Sequence, residues 1–246
     1  MDKGRKEWFN KWFNSPYYHI LYKHRNENEA RYFIQRLISS LEIQPTDKIL
    51  DVACGKGRYS IYLNSLGFQV EGIDLSERNI EIANQSANEN LHFQIHDMRQ
   101  VYKEAYFDYA FNMFTSFGYF EKEEDNQKAI SAIAKSLKQE GIFVLDFLNP
   151  YKVINNLVKE ETKEIEGVHF KINRSFDGTH IIKKINITDN DETFEFYEKV
   201  MAIRRISFLD YFRNANLMHL QIYGDYSLNQ YEPEFSDRMI FIVKKL

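Results

Sequence analysis

The sequence predicts an α/β fold in which helices cover both faces of a mostly parallel sheet. Short apolar runs of strand length alternate with helical patterns from about residue 28 to residue 149, which is the order that parallel β-α-β units require. The composition supports a packed domain, since 43% of the 246 residues are hydrophobic and 28% are charged. We therefore expect one large domain, or one domain that carries an insertion.

The predicted elements follow in order along the chain. Apolar side chains fall at helical spacing in residues 28–41, ahead of the strand KILDVA. Ser76 is placed as an N-cap for a later helix. The remaining elements of this series are a helix after Gly57, the strand QVEGIDL, the helix after Ser76, the strands LHFQIHD and FDYAFNMF, a helix around residues 129–137, and the strand GIFVLDFLN.

Residues 162–204 interrupt this alternation. Three segments there alternate with period two, and the first two meet at Asp177-Gly178, a strong hairpin signal. We expect an inserted antiparallel β-meander that acts as a lid or as an oligomer surface, with a direct part in the chemistry as the alternative. A helix at about residues 207–216 is expected after it. Bare strand edges are a liability, so we keep a homodimer as a hypothesis. The three strands are VHFKINRSF, THIIKKINIT and TFEFYEKVMAI, and the closing strands are MHLQIYGDYSL and RMIFIVKKL.

Charge and cysteine content exclude several classes of protein. The net charge of −4 lacks the basic field of a nucleic-acid binder, so no nucleic-acid partner is expected. Cys54 is the single cysteine, which rules out an intramolecular disulfide and favours a cytoplasmic location. The opening residues have no continuous apolar stretch typical of a secretory signal, and no segment is apolar enough to span a membrane.

The stretch ILDVACGKGRYS joins a strand to a glycine-flanked turn. Gly55 and Gly57 allow the backbone to turn tightly and to approach a ligand closely. The following helix presents free N–H groups toward that ligand. Asp74 ends the next strand, where an acidic side chain can accept hydrogen bonds from a ribose diol. These features predict a site for a nucleoside cofactor.

Two features of the same stretch distinguish between cofactors. The third glycine of a dinucleotide motif is replaced by Ser60. Asp51 places a carboxylate where a pyrophosphate would be repelled and an ammonium group attracted. A nucleoside with an amino-acid tail, S-adenosylmethionine, fits better than a nicotinamide cofactor. A nicotinamide-dependent oxidoreductase stays the less favoured alternative.

These motifs resemble those of the class I S-adenosylmethionine-dependent methyltransferases. ILDVACGKGRYS is similar to their first motif, GIDLS to the second and HDMR to the third, over about residues 45–149. The resemblance implies a Rossmann-like, doubly wound seven-stranded sheet and an in-line methyl transfer to a small molecule. The resemblance, together with the positions of these residues near the three motifs, implies a set of cofactor contacts. They are Tyr22, Asp51, Ala53, Gly55, Gly57, Asp74, Leu75, Asp97, Met98 and Met113.

A narrower resemblance concerns the methyl acceptor. FNMFTSFGYF, together with the late insertion, resembles the amino-sugar N,N-dimethyltransferases and favours an amine nitrogen over a hydroxyl. Phe114, Phe117 and Tyr119 are the candidate pocket rings, with Tyr17 behind Tyr22; the alternative for each ring is simple core packing. The product would be S-adenosylhomocysteine. A module that binds the cofactor without catalysis is the second alternative, because intact cofactor motifs fit both.

The N-terminal segment is expected to form a helical cap over the cofactor site. We divide the chain into this cap, residues 1–44, and a methyltransferase domain, residues 45–246, that includes the insertion. His19 and His24 are candidate bases, but no catalytic residue is assigned, because a neutral amine needs no general base. The histidines show no spacing typical of metal ligands, so no metal is expected.

Overall fold

The computed structural model describes residues 8–23 and 27–246, which form two sheets and eight α-helices. The strands are β1 (Lys48–Val52), β2 (Gln69–Asp74), β3 (Leu91–Ile95), β4 (Phe107–Asn112), β5 (Leu137–Leu148), β6 (Glu160–Ile165), β7 (Val168–Phe176), β8 (His180–Asp189), β9 (Glu192–Met201), β10 (Leu217–Tyr223) and β11 (Arg238–Lys245). The helices are α1 (Trp8–Phe13), α2 (Pro16–Leu21), α3 (Glu27–Leu41), α4 (Arg58–Ser65), α5 (Glu77–Ala83), α6 (Glu123–Ser136), α7 (Pro150–Asn155) and α8 (Arg205–Asn214).

The central sheet has seven strands in the order β10-β11-β5-β4-β1-β2-β3. The strands β3, β2, β1, β4 and β5 run parallel, and β11 and β10 complete the sheet in antiparallel pairings. Strand order reverses between β1 and β4, and ligands of such sheets bind beyond the carboxyl ends of the strands at that point. The predicted doubly wound, Rossmann-like sheet is confirmed.

Helices cover both faces of this sheet. One apolar cluster joins the sheet to α6 and α8, with Ile130 and Phe208 fully or almost fully buried. A second cluster joins the other face to α3, α4 and α5, with Phe33 and Leu63 completely buried. The predicted cap of α5 is also present, since the Ser76 hydroxyl accepts a hydrogen bond from the Asn79 N–H at 3.2 Å.

The inserted sheet has four antiparallel strands in the order β6-β7-β8-β9, where the sequence predicts three. The hairpin at Asp177-Gly178 is confirmed, with Phe176 paired to Ile181. Strand β6 could not be predicted from the sequence because EETKEI is mostly charged and exposed and shows no alternation of apolar and polar residues. Such a composition is typical of an edge strand. The insertion therefore begins at Glu160 rather than at residue 162 and ends at Met201.

Helices α1 and α2 pack against the inserted sheet. Trp12 is completely buried in an apolar cluster with Phe170 and Ile185, and its ring lies 5.0 Å from that of Phe196. The N-terminal segment and the insertion thus share one core, which the sequence does not indicate. In the described part of the chain, no helix is both long and apolar enough to cross a membrane.

Candidate functional site

A cavity of about 350 Å³ lies at the carboxyl ends of β1, β2, β3 and β4. Its wall on the opposite side comes from α1, α2 and the residue that follows α2. Eleven of the fourteen residues predicted for the cofactor and acceptor sites line it. They are Tyr22, Asp51, Ala53, Gly55, Asp74, Leu75, Asp97, Met98, Met113, Phe114 and Tyr119.

Three predicted residues do not line the cavity. Tyr17 faces the inserted sheet instead, where its hydroxyl donates to Asp189 at 3.1 Å and its ring packs on Phe194. Phe117 is completely buried in the core on the α6–α8 side, so its ring is core and not pocket wall. Gly57 belongs to the same turn as Gly55, but only Gly55 lines the cavity.

The glycine turn uses left-handed backbone at three positions. Ala53, Gly55 and Gly57 have φ values of +58°, +58° and +80°. A Cβ at Gly55 would meet no atom within 4 Å, so the backbone there is open to a ligand. A Cβ at Gly57 would lie 2.6 Å from the ring of Phe93, so Gly57 is required for packing of the turn against β3.

Asp74 is held at the end of β2 by backbone groups. Its carboxylate accepts hydrogen bonds from the Gly55 N–H at 2.9 Å and from the Ser76 N–H at 2.8 Å. Burial raises the pKa of Asp74, and these backbone hydrogen bonds oppose the increase. Each oxygen retains a further lone pair, because a carboxylate accepts about four hydrogen bonds.

Asp51 is the most deeply buried acid of the cavity, with 1% of its surface exposed. Burial raises the pKa of Asp51 to about 7; the hydrogen bond from Ser60 lowers it, and the nearby Asp74 charge adds to the increase. The Ser60 hydroxyl donates to the Asp51 carboxylate at 2.5 Å. Ser60 therefore orients this carboxylate from the first turn of α4.

Asp97 follows β3 and binds Arg99, a residue that sequence reasoning missed. The Arg99 Nη2 and Nε atoms lie 2.6 Å and 3.0 Å from the Asp97 Oδ2 atom. Burial alone would raise the pKa of Asp97, but the hydrogen bonds and charge of Arg99 give a net decrease. Arg99 also reaches Asp125, at 3.3 Å, which links the cavity rim to α6.

The turn after β4 is strained and is held by an ion pair. Phe114 and Thr115 have φ values of +64° and +57°. Asp146, completely buried, accepts from the Phe114 N–H at 2.8 Å and pairs with the Arg238 Nε atom at 2.7 Å. Tyr226 also donates to Asp146, at 3.0 Å. A single acid inside the apolar run FVLDFL is the one sequence signal that points to this arrangement.

Tyr22 reaches the cavity wall while its hydroxyl faces the inserted sheet. The hydroxyl donates to the Glu198 Oε1 atom at 2.5 Å and also contacts Lys183. Trp12 donates to the same Glu198 oxygen at 2.7 Å, and Lys183 pairs with the other oxygen at 2.6 Å. The structure therefore gives the Tyr22 hydroxyl a partner in the inserted sheet, where the sequence suggests a contact with the cofactor or the acceptor.

Two further groups of the cavity wall carry charge or titrate. Burial, together with the charges of Lys56 and Arg78, lowers the pKa of His19 to about 4, so its ring is neutral near pH 7. Lys56 lines the cavity between the two glycines. The other candidate base, His24, lies outside the described residues. In residues 8–23 and 27–246, no group of three or more acidic, histidine or cysteine side chains is arranged to hold a metal ion.

A family model described as a methyltransferase domain matches residues 43–204, the range that contains the glycine turn, the three acids and the strained turn. The chain belongs to the methyltransferase domain family. The chain spans about half the length of curated relatives that it matches. The nicotinamide alternative is set aside by this match.

Two curated relatives illustrate the range of the family. A putative methyltransferase of Bacillus subtilis, YqeM, is 35% identical over 109 residues, which cover 43% of this chain and 44% of the relative. The ubiquinone biosynthesis O-methyltransferase of Pelagibacter ubique is 30% identical over 133 residues, with 50% and 54% covered. Both alignments place this chain beside methyltransferases.

Solved structures confirm the fold over nearly the whole chain. An S-adenosylmethionine-dependent methyltransferase from Clostridium acetobutylicum superposes with a TM-score of 0.80 at 20% identity, over 96% of this chain and 98% of that one. CalS10, an amino pentose methyltransferase from Micromonospora echinaspora, gives 0.67 at 19% identity, over 94% and 98%. These superpositions confirm the predicted fold, and the family match confirms that the chain contains a methyltransferase domain.

Proposed function

We propose that this chain transfers the methyl group of S-adenosylmethionine to an amine nitrogen of a small molecule. One observation carries the proposal: carboxylates from the ends of three neighbouring strands, Asp51, Asp74 and Asp97, line one cavity beside the open backbone of Gly55. This arrangement matches the functional groups of the cofactor, which are an ammonium, a ribose diol and an adenine.

The residues of the cavity fit this cofactor individually. Asp51 would pair with the ammonium of the methionine moiety, because a buried carboxylate is stabilised by an adjacent cation. Asp74 would accept from the ribose hydroxyls with the lone pairs that Gly55 and Ser76 leave available. Leu75, Asp97 and Met98 would flank the adenine, and the Asp97 carboxylate would keep its bond to Arg99.

Once bound, the cofactor supplies an activated methyl group, and the task of the protein is alignment. Positioning of two reactants accounts for effective molarities of about 10⁵ to 10⁸ M in model reactions. Phe114 and Tyr119 line the wall beyond Met113, and their rings would orient an acceptor and exclude water. Residues 1–44, whose α1 and α2 contribute to the wall, would close the site as its cap.

The wall chemistry favours an amine over a hydroxyl acceptor. A hydroxyl must lose its proton as it is methylated, which requires a base with a pKa near the working pH. His19 is a poor base, because its pKa is lowered to about 4. A neutral amine carries its own lone pair and needs no such base. The structurally similar CalS10 is an amino pentose methyltransferase, and an amine-bearing substrate agrees with this preference.

Calorimetric titration with S-adenosylhomocysteine tests cofactor use. We expect micromolar binding, no binding of NAD, and a loss of at least tenfold in Asp74→Asn. Asp108→Asn is the matched control, because Asp108 is the second residue of β4 and pairs with Lys138 outside the cavity wall. Absence of S-adenosylhomocysteine binding by the wild-type protein would refute the proposal.

The acceptor class is tested by turnover. Radiolabelled S-adenosylmethionine is incubated with matched panels of primary amines and phenols, and methyl incorporation is counted. Labelled amine products support the proposal. If only phenols are labelled, the proposed acceptor is a hydroxyl and not an amine. If the protein binds the cofactor but labels neither panel, the result favours a module that binds the cofactor without catalysis.

A further inference from the structure

The cavity wall carries two cationic side chains on different sides. In the described part of the chain, Lys56 and Arg58 are the lysine and arginine that line it. Lys56 lies toward α2, because its charge adds to burial in lowering the pKa of His19. Arg58 begins α4 and lies toward the turn after β4, with its guanidinium carbon 5.5 Å from the centre of the Phe114 ring. Arg58 therefore belongs to the part of the wall that we assign to the methyl acceptor.

Two aromatic rings hold the Arg58 guanidinium. Its central carbon lies 4.7 Å from the centre of the Tyr59 ring and 5.5 Å from that of Phe114. Cations are attracted to ring faces at such distances. The Arg58 Nη2 atom also donates to the Tyr59 hydroxyl at 3.1 Å. A guanidinium has five N–H donors in one plane, so Arg58 can keep this bond and also bind a ligand.

The strained turn after β4 keeps Phe114 beside Arg58. Phe114 has left-handed backbone, with a φ value of +64°, and its N–H is bonded to the buried Asp146 carboxylate. Backbone strain of this kind is concentrated at functional sites. Arg238 lies 5.8 Å from the centre of the same ring, but it pairs with Asp146 and is not part of the cavity wall. The turn thus positions a ring against the arginine that lines the cavity.

The charge of Arg58 distinguishes between acceptors. The cofactor brings a sulfonium cation into the same cavity, and its ammonium is assigned to Asp51. The Arg58 charge is close to Asp51, since it opposes part of the increase that burial causes in the pKa of Asp51. An acceptor that carried only an ammonium group would add a further positive charge and be repelled. An acceptor that also carried an oxyanion would pair with Arg58.

We propose that Arg58 binds an oxyanion on the methyl acceptor, so that the acceptor is a small amine with a carboxylate or a phosphate group. The inference rests on the proposed function, because it requires an acceptor amine beside the methyl group of the cofactor. A planar guanidinium forms two parallel hydrogen bonds with either oxyanion. An acceptor held at this end has its amine oriented, and such positioning supplies much of the rate in a reaction between two bound molecules.

Titration with small anions tests the site directly. Acetate and inorganic phosphate are added at constant ionic strength to protein saturated with S-adenosylhomocysteine, and the backbone amide signal of Phe114 is followed by NMR. We expect a saturable shift with a dissociation constant of roughly a millimolar. Arg58→Met should weaken the response at least about tenfold. The stronger of the two wild-type responses tells a carboxylate site from a phosphate site.

The matched control is Arg36→Met. Arg36 also stacks on a tyrosine, with its guanidinium carbon 5.4 Å from the centre of the Tyr32 ring, but it lies on α3 outside the cavity wall. The response of this variant to both anions should equal that of wild type. Circular dichroism checks that Arg58→Met is folded. If it is not, Arg58→Lys replaces it with an expected weakening of about threefold, because lysine keeps the charge but lacks the planar fork.

A pair of amines tests whether the anion site serves the acceptor. β-Alanine and β-alaninamide carry the same amine, and only the first has a carboxylate. Wild-type protein saturated with S-adenosylhomocysteine should bind β-alanine at least about tenfold more tightly, and Arg58→Met should abolish the difference. If wild-type protein binds β-alanine no more tightly than the amide, the site does not accept the anionic end of an amine and the inference is refuted.

The outcomes separate this inference from the proposed function. If wild-type protein binds S-adenosylhomocysteine but neither anion shifts the signal, or if Arg58→Met responds as wild type does, the anion site is refuted and the proposed function stands. Arg58→Met should keep its affinity for S-adenosylhomocysteine within about threefold of wild type. A larger loss in the folded variant would assign Arg58 to the cofactor and also refute the inference. If wild-type protein does not bind S-adenosylhomocysteine, the proposed function itself fails.

Discussion

The carboxylate of Asp146 accepts a hydrogen bond from the backbone N–H of Phe114 at 2.8 Å, which ties β5 to the turn that lines the cavity. Phe114 and Thr115 both have left-handed backbone, a conformation that bulky and β-branched residues rarely adopt. Strained backbone of this kind persists only where its surroundings hold it. Arg238 also stabilises this turn, since it pairs with Asp146 and donates to the Thr115 hydroxyl at 2.8 Å.

We expect Asp146→Asn to destabilise the protein strongly. The change removes the counter-charge of Arg238, whose side chain is only 17% exposed, and weakens the hold on the Phe114 backbone. Loss of one partner from a buried ion pair typically costs about 3 to 5 kcal/mol in the free energy of unfolding. Urea unfolding followed by circular dichroism measures this difference.

The control for Asp146→Asn is Glu140→Gln. Glu140 pairs with Lys244 at 2.6 Å between β5 and β11, the same two strands, but it is largely exposed. Its loss should cost less than about 1 kcal/mol. Similar losses in the two variants would show that burial of the Asp146 pair has no special effect on stability.

Gly57→Ala should be more destabilising than Gly67→Ala. Both glycines have left-handed backbone, which costs an alanine about 1 to 2 kcal/mol. A Cβ at Gly57 would also overlap the Phe93 ring at 2.6 Å, whereas one at Gly67 would meet nothing within 4 Å. Overpacking adds about 1 to 3 kcal/mol, so thermal unfolding should separate the two variants. Equal melting temperatures would mean that Phe93 moves aside without cost.

Much of the fold could be predicted from the sequence, because its signals are local. Apolar strands, the turn at Gly55 and Gly57, and the Asp177-Gly178 hairpin each occupy a few neighbouring residues. Parallel strands then bring their carboxyl ends to one edge of the sheet. Asp51 and Asp74 could therefore be assigned to one site from the sequence alone.

The remaining features depend on contacts between distant residues. Asp146 and Arg238 lie 92 residues apart, so no local pattern joins them. Phe114 lines the cavity and Phe117 is core, although the two are close in sequence. The left-handed turn between them interrupts the strand periodicity, and the side on which each ring lies cannot be inferred from spacing.

Cofactor affinity should increase with pH through about 7. The pKa of Asp51 is raised to about 7 by burial, so near pH 6 the group is mostly protonated and cannot pair with an ammonium. Binding of S-adenosylhomocysteine then requires loss of that proton, and the dissociation constant should fall by up to about tenfold per pH unit below 7. Calorimetry from pH 5.5 to 8.5 measures the slope.

Asp51→Asn separates this titration from other groups. The variant should bind S-adenosylhomocysteine weakly and with no pH dependence in this range. The stability of the wild-type protein should change with pH in the opposite sense to its cofactor affinity. Asp51 keeps its proton in the native protein up to about pH 7, whereas the unfolded chain releases it near pH 4, so wild-type stability falls between about pH 4 and 7. The stability of Asp51→Asn should not show this decrease. A wild-type affinity that is flat across pH 7 would contradict the assigned contact between Asp51 and the ammonium.

Glu198→Gln should loosen the N-terminal helices while the central sheet stays folded. Glu198 accepts from Trp12 and Tyr22 and neutralises Lys183, so it joins α1, the end of α2 and the inserted sheet. Glutamine keeps an acceptor but leaves the Lys183 charge without a counter-ion. Hydrogen exchange of residues 8–23 should then accelerate roughly tenfold, and S-adenosylhomocysteine should restore much of the protection if the cap closes over it.

Glu195→Gln is the matched control for this change, because it breaks a second pair between the same two strands. Glu195 bonds Lys184 at 2.7 Å on the exposed face of the inserted sheet, away from α1 and α2. Exposed pairs contribute little, so exchange in residues 8–23 should match wild type. If both variants accelerate exchange there equally, the N-terminal helices respond to the stability of the inserted sheet as a whole. If only Glu198→Gln does so, this one carboxylate holds them against the sheet and thereby sets how readily the cavity opens.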